Sequence, residues 1–208
     1  GEVAGVTGFR PIDDTNGAYW LSWTYMDEAF RRQGHSRFML GRLTHHLIQL
    51  EARKLFVQVS DQVVAGEPIY EDAMAFYRAF GFRKEAMHRG FYAVGENLHV
   101  MGLQLRPRGA GRCEADDRPA RFTEIFELPE SDGAVGIDWT FTRFKQGTAK
   151  QARQVLEGAA GQRVVFGSVP ASASKAAALF RAAGFTEEGV LRDFYGDGVD
   201  ELRFRLDL

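Results

Sequence analysis

The sequence predicts an α/β fold of the α+β type, arranged as two units of similar design. Two observations lead to this prediction. Segments typical of β-strands alternate along the chain with amphipathic helices. The second half also repeats the first, because ten of the twenty residues between Ala73 and Tyr92 are identical to those 103 positions later, between Ala176 and Tyr195. Each unit is therefore expected to contain strand, strand, loop, helix, strand, helix, strand and strand in that order.

The first unit carries the clearer patterns. Aromatic and β-prone residues predict strands, and leucines at helical spacing predict the first helix, which opens at Ser36. Gly81 is a good C-terminal cap for the second helix. The expected strands are residues 2–10, 18–26, 55–60, 82–89 and 98–105, and the expected helices are residues 36–53 and 71–80.

A polar stretch rich in glycine and proline separates the two repeats. It lacks any hydrophobic period, which is typical of a linker. We therefore expect one unit at residues 1–106, a linker at 107–120 and a second unit at 121–208.

Composition excludes several classes of protein. With 45% hydrophobic and 26% charged residues the chain is typical of globular proteins, and a net charge near −2 does not favour nucleic acid as a partner. No apolar run approaches the roughly 20 residues that cross a bilayer, so no membrane association is expected. The single cysteine, Cys113, suits the cytoplasm. Because the first residue is glycine and strand-like sequence follows at once, we expect that the natural beginning is missing or that a tag remnant precedes it.

The segment between the strand that ends at Met26 and the first helix has the composition of a phosphate-binding loop. A helix start presents unpaired backbone N–H groups and the positive end of the helix dipole. Glycine allows an anion to approach the backbone closely, and arginines add positive charge. The residues of this loop are Arg31, Arg32, Gln33, Gly34, His35, Ser36 and Arg37. Taken alone the pattern is short, and a merely basic helix start would explain it equally well.

Two motifs in order resemble the GNAT acetyltransferase superfamily. They are Arg31-x-x-Gly34-x-Ser36 after a strand, and Ala73-x-x-Phe76-Tyr77-x-x-x-Gly81-Phe82 in the later helix. The resemblance covers about residues 1–105 and, more weakly, 121–208. It departs at Ser36, where glycine or alanine is usual, and in the strand and helices that normally precede the element at Glu2. Either those parts are missing or the two short units complete each other.

The resemblance implies a mixed, mostly antiparallel sheet flanked by helices in each unit. It also implies acetyl-CoA as donor and a small-molecule amine, or an amino acid derivative, as acceptor. The loop at residues 31–37 would hold the pyrophosphate. The strand that ends near Met26 would separate from the strand at 55–60 and expose backbone groups to the pantetheine arm.

The resemblance further implies that Tyr77 is the general acid that protonates the leaving thiolate. Packing on the sheet is the alternative role for this tyrosine. No general base is evident: Asp27, Glu28 and Asp61 are candidates, and a water chain is another. No metal site is expected, because the paired His45 and His46 have no third ligand at a suitable spacing.

The second unit differs where the chemistry is expected. Phe180 replaces Tyr77 and Phe144 replaces Arg31, so we expect a degenerate, structural partner in a pseudo-dimer within one chain. A homodimer of whole chains is also open. The sequence leaves two readings besides an N-acetyltransferase, namely a non-catalytic acetyl-CoA-binding module and a purely structural one.

Overall fold

The computed structural model describes residues 2–109 and 114–208. Within this part of the chain, strands and helices alternate largely as the sequence predicts. The first half contains β1 (Gly5–Pro11), β2 (Ala18–Met26), α1 (His35–Gln49), β3 (Lys54–Ser60), β4 (Val63–Val64), β5 (Glu67–Pro68), α2 (Glu71–Phe80), β6 (Arg83–Ala93) and β7 (Glu96–Gln104). The second half contains β8 (Ala120–Glu127), β9 (Ala134–Phe141), α3 (Ala149–Leu156), β10 (Val164–Pro170), α4 (Ser174–Ala182), β11 (Thr186–Gly196) and β12 (Val199–Asp207).

Ten of these strands form one continuous sheet in the order β1-β2-β3-β7-β6-β11-β12-β10-β9-β8. Its pairs are antiparallel except for β2–β3 and β9–β10, which are parallel. The predicted fold class is confirmed: this is a mixed α/β fold with a large, mostly antiparallel sheet and flanking helices. The sequence led us to expect a sheet in each unit, and the structure joins them into one.

The junction is a short antiparallel contact between β6 and β11, in which Ala86 pairs with Gly189. These two residues are 103 positions apart, the same offset that relates the two halves of the sequence. Other contacts between the halves are also reciprocal. The Asn16 N–H donates to Tyr195 O at 2.8 Å, and the Asp132 N–H donates to Tyr92 O at 2.6 Å. The contact therefore has the form of a self-complementary dimer interface.

Apolar side chains fill both faces of the sheet. On the helix side each half has its own core, one around Leu47, Leu55 and Tyr77 and the other around Phe180 and Phe204. On the opposite face of the first half, the ring of Phe194 from β11 lies 5.4 Å from Phe56. The second half thus covers a sheet face that would otherwise be exposed to water.

Several boundaries differ from the prediction. Helix α1 ends at Gln49 rather than near Arg53, because Glu51 adopts a left-handed backbone (φ +59°) and the Ala52 N–H returns to Leu47 O. Arg53 is instead completely buried and donates to Asp193 O at 2.9 Å. Strand β1 begins at Gly5, three residues late, and the hairpin β4–β5 was not predicted.

Helix α2 has the predicted bounds and ends at Gly81, whose φ is +119°. None of the helices in the described residues has the length and apolar character needed to cross a membrane.

Candidate active site

The loop before α1 is held in shape by its own backbone and side chains. Asp27 accepts the Ala29 N–H at 2.9 Å and opens a 3-10 turn at Glu28–Phe30. Gly34 (φ +86°) is the N-cap of α1 and offers no side chain to the helix start. The first helical hydrogen bond runs from the Phe38 N–H to Gly34 O, so the N–H groups of residues 35–37 precede the helical ladder. This leaves a positive, uncapped helix end.

Side chains of the same loop surround that helix end. Arg31 Nε donates to Met26 O at 3.1 Å, and Gln33 Nε2 donates to Ala29 O at 2.8 Å. Arg32 pairs with Asp72 of α2 at 3.1 Å, where both side chains are exposed. The Arg37 guanidinium lies 5.9 Å from the centre of the Phe80 ring. The structure thus brings Met26 and residues 31–37 together around the start of α1. Their role in binding stays a prediction.

Strands β2 and β3 separate as the sequence analysis expects. They pair only where Ala18–Trp20 lie beside Lys54–Phe56, and beyond that point they diverge. A cleft of about 990 Å³ lies along the diverging ends. Its walls come from β2, β3, the start of α2, the β6–β7 hairpin and the β8–β9 turn. The lining residues are Arg10, Leu21, Ser22, Trp23, Thr24, Val57, Gln58, Val59, Ser60, Gln62, Tyr70, Ala73, Tyr77, Tyr92, Glu96, Pro129, Glu130, Ser131 and Asp132.

Tyr77 projects from α2 into this cleft and is only 7% exposed. Burial raises the pKa of its phenol, while its interaction with the Thr24 hydroxyl acts in the opposite direction. A raised pKa keeps the phenol protonated at neutral pH, which is the state that a proton donor needs. The position is compatible with the predicted acid, although the same side chain also packs in the core beside Phe82.

The three candidate bases have other partners. Asp61 accepts the Asn97 N–H at 2.6 Å and lies 3.0 Å from His99 Nε2. Although burial acts to raise it, these interactions hold the pKa of Asp61 below its usual value. Asp27 is engaged in the 3-10 turn, to which Glu28 also belongs. Asp27, Glu28 and Asp61 are all outside the cleft lining.

The sequence patterns do not single out Glu96, a carboxylate of the cleft, as a candidate base. Glu96 begins β7, and its Oε1 accepts the Ser60 hydroxyl at 2.6 Å. The Gly95-Glu96-Asn97 turn was visible as a strand connection. Its nearness to Ser60 depends on the pairing of β3 with β7, which a local pattern does not reveal.

Comparison with known families supports the resemblance seen in the first half. Residues 1–82 match the model of the Acetyltransferase (GNAT) family. This part of the chain therefore contains a match to a GNAT acetyltransferase domain. The resemblance drawn from the motifs at Arg31–Ser36 and Ala73–Phe82 is thereby confirmed.

Solved GNAT structures resemble about half of the chain. A GNAT-family protein of Desulfovibrio desulfuricans shares 26% identity at a TM-score of 0.45, covering 50% of this chain and 62% of its own. The ribosomal-protein-S18-alanine N-acetyltransferase of Escherichia coli shares 21% identity at a TM-score of 0.42, and the match covers 52% of this chain and 66% of that protein. The protein yncA of Salmonella typhimurium, solved with acetyl-CoA, shares 20% identity at a TM-score of 0.44, and the match covers 54% of this chain and 64% of that protein. The chain thus spans less than two-thirds of each of these proteins. No curated protein matches the chain.

The second half differs from the GNAT domain at the corresponding cleft. Phe180 is completely buried, and a Cβ on Gly167 would lie 2.3 Å from its ring. Trp139 Nε1 donates to Ser168 O at 2.8 Å and so bridges the diverging ends of β9 and β10. The cavity beside these strands is about 230 Å³.

The helix start in the second half is capped as well. Thr148 accepts the Gln151 N–H at 3.2 Å, and Gln151 Oε1 accepts the Thr148 N–H at 3.0 Å, forming a capping box. Gly34 gives the GNAT domain no such cap, so the α1 start has the greater capacity for an anion. Phe144, which replaces Arg31, is 90% exposed.

Proposed function

We propose that the chain is an acetyl-CoA-dependent N-acetyltransferase that acetylates the amine of a small molecule or an amino acid derivative. One observation carries this proposal. In a domain of the GNAT family, the diverging strands β2 and β3 open a large cleft, and the buried phenol of Tyr77 lies in that cleft. The alternative of a non-catalytic acetyl-CoA-binding module would have no use for a proton donor at this place.

The start of α1 fits the pyrophosphate of the donor. The N–H groups of residues 35–37 and the helix dipole attract an anion. A Cβ added to Gly34 would meet no atom within 4 Å, so the space in front of the loop is open. Arg31 and Arg37 stand at its edge. Acetyl-CoA would supply the activated acetyl group as a thioester.

Residues of the cleft can then donate and accept the protons that acetyl transfer requires. The acceptor nitrogen forms a bond to the acetyl carbon, the bond from carbon to sulfur breaks, and Tyr77 Oη gives its proton to the leaving sulfur. Glu96 takes the proton that the nitrogen loses, and the Ser60 hydroxyl holds that carboxylate in place. The tyrosinate then regains a proton from water, and Glu96 releases its proton to the hydroxide so formed, which restores both groups and completes the balance.

We also propose the division into two repeat units, 1–106 and 121–208, joined by the linker 107–120. The sheet order and the reciprocal contacts at Ala86–Gly189 support this division. The filled cleft around Phe180 and the capped start of α3 support a structural role for the second unit. Part of the linker, residues 110–113 with Cys113, lies outside the described residues.

Replacing Tyr77 with phenylalanine tests the acid. Thiol release from acetyl-CoA is measured with a panel of primary amines across pH. We expect Tyr77→Phe to lower kcat by about 10²-fold or more, the usual contribution of a general acid, while the Kd for acetyl-CoA stays unchanged. Tyr25→Phe is the matched control, because Tyr25 lies on the cleft-forming strand β2 but is outside the cleft lining and half exposed.

Unchanged turnover and an unchanged pH profile in Tyr77→Phe would remove Tyr77 from the mechanism. Binding of acetyl-CoA by the wild type without transfer to any amine would favour the non-catalytic module. Glu96→Gln should lower kcat by about 10²-fold or more while the Kd for acetyl-CoA stays unchanged, and an unchanged kcat would rule out Glu96 as the base.

A further inference from the structure

The second unit supplies one wall of the GNAT cleft. The turn between β8 and β9 contributes Pro129, Glu130, Ser131 and Asp132 to a cleft whose other walls belong to the first unit. This β8–β9 turn lies far along the chain from the GNAT motifs and outside the residues that match the family model. Its presence in the cleft follows from the way the two halves associate.

Hydrogen bonds fix the β8–β9 turn against the β6–β7 hairpin. The Asp132 N–H donates to Tyr92 O at 2.6 Å. Arg163 Nε donates to Asp132 O at 2.6 Å, and its Nη1 donates to Gly90 O at 3.1 Å. Arg163 therefore joins the turn of the second unit to the hairpin of the first. A wall held by a backbone hydrogen bond and by the side chain of Arg163 is pre-organised for a ligand.

The cleft is acidic at this wall. Among the described residues that line it, Glu96, Glu130 and Asp132 are carboxylates, whereas Arg10 is the one guanidinium. The carboxylates face an aromatic side chain. Burial, the negative charges of Glu130 and Glu96, and the nearby Tyr70 together raise the pKa of Tyr92 to about 12. Carboxylates beside phenol rings form an environment that favours an alkylammonium group.

The position of the wall separates it from the donor site. The pyrophosphate loop, residues 31–37, lies at the start of α1 and contributes nothing to the lining of this cleft. Tyr77 lies at the diverging strands, where the acetyl group would react. The β8–β9 turn is placed at the β6–β7 hairpin, so it can contact the part of an acceptor that extends away from the reacting nitrogen.

We propose that the β8–β9 turn of the second unit is the acceptor-binding wall, and that the acceptor is a small amine with a second positive charge, held by Glu130. This inference rests on the proposed function and names the substrate class for the same cleft. It also gives the second unit a direct part in the reaction: Glu130 determines specificity, while Glu96 remains with the reacting nitrogen.

The test compares two acceptors that differ only in the remote charge. Putrescine carries a second ammonium, whereas butylamine has a hydrogen atom in its place. We expect the wild type to prefer putrescine by about fivefold in kcat/KM, the effect of one exposed ion pair of about 1 kcal/mol. Glu130→Gln should remove this preference by raising the KM for putrescine, with kcat and the KM for acetyl-CoA within twofold of the wild type.

Glu124→Gln is the matched control, because Glu124 is an exposed carboxylate on β8 outside the cleft lining. The control should retain the preference. Calorimetric titration with putrescine, without acetyl-CoA, measures the same wall independently of turnover. There Glu130→Gln should weaken binding by about fivefold.

The inference is overturned if Glu130→Gln changes both amines equally, if it changes neither, or if the wild type prefers butylamine. Failure of the proposed function has a different signature, since putrescine would then bind through Glu130 while no amine in the panel is acetylated.

Discussion

His88 is a titratable residue that is almost completely removed from water. It lies on β6, is 3% exposed, and both of its ring nitrogens lack a hydrogen-bond partner. Its ring packs against Phe166 of the second unit, with centroids 5.1 Å apart. Burial and the nearby charge of Arg203 lower the pKa of His88 to about 3. Glu188 lies 3.7 Å from Nδ1, but Arg89 and Arg205 already balance its charge.

The low pKa of His88 predicts loss of stability in weak acid. Below pH 6.5 the unfolded chain takes up a proton at this position that the folded chain does not, so the free energy of unfolding falls as pH falls towards 3. Between pH 6.5 and 5 the loss is about 2 kcal/mol, from about 1.4 kcal/mol per pH unit.

Urea unfolding at pH 7 and pH 5 measures this contribution. His88→Leu should lose about 2 kcal/mol less between the two values than the wild type does. His45→Leu, at an exposed position of α1, should behave as the wild type. An equal loss in His88→Leu and the wild type would show that His88 does not cause the acid sensitivity.

The start of α1 combines a weak cap with a strong capacity for anions. A helix whose N-cap is Gly34 and whose first turn has no acidic residue is less stable than one with a side-chain cap. This lower helix stability is useful at a binding site, because the uncapped N–H groups remain available to a ligand. In the second unit the capping box at Thr148 instead stabilises the helix start and occupies its N–H groups.

Ser36→Asp should therefore affect stability and binding in opposite directions. A carboxylate in the first turn stabilises the helix by about 0.3–1 kcal/mol. It also occupies the N–H groups and repels the pyrophosphate, so the Kd for acetyl-CoA should rise by about tenfold or more. Thermal unfolding and calorimetry measure the two effects.

Ser36→Asn has a similar shape without the charge and serves as the control. The KM for S-acetylpantetheine, a donor without pyrophosphate, should not rise in Ser36→Asp. If acetyl-CoA binds Ser36→Asp as it binds the wild type, the loop does not hold the pyrophosphate.

Local patterns predicted the elements whose causes are local. Helix α2 has its predicted bounds because Gly81 ends it by its own backbone preference. The sequence pattern predicts too long a helix α1, because the left-handed backbone that ends it lies at Glu51 and not at a glycine, which would have marked the helix end. The loop at residues 31–37 was recognised from its composition, and the divergence of β2 and β3 from the family resemblance. Glu96 and Glu130 were missed because their place in the cleft depends on contacts between distant segments.

At the scale of the whole molecule, the sequence repeat predicted two units but not how they join. The pairing of β6 with β11 makes one sheet, and each half covers the open sheet face of the other. A sequence repeat does not specify such a contact, because the contact depends on which strands of the two halves lie side by side. Arg53 and Arg163 illustrate this: both read as ordinary charged residues, yet each donates to backbone carbonyls of the opposite half.

The close approach at Ala86 and Gly189 predicts that the two halves unfold together. A Cβ on Gly189 would lie 2.6 Å from the Ala86 Cβ and 2.8 Å from its Cα, so the strands must move apart. Gly189→Ala should therefore lower the free energy of unfolding by about 1–3 kcal/mol, as overpacking does. Gly196→Ala on the same strand is the control, because its Cβ would meet only Val199 Cγ2, at 3.7 Å.

Hydrogen exchange decides whether this loss is shared. If the sheet is one cooperative body, Gly189→Ala reduces protection equally in β3 and in β10, which are the central parallel strands of the two halves. Urea unfolding should then retain a single transition at lower urea. Reduced protection confined to β10, or a second transition, would mean that each half is stable by itself and that the β6–β11 contact only docks them together.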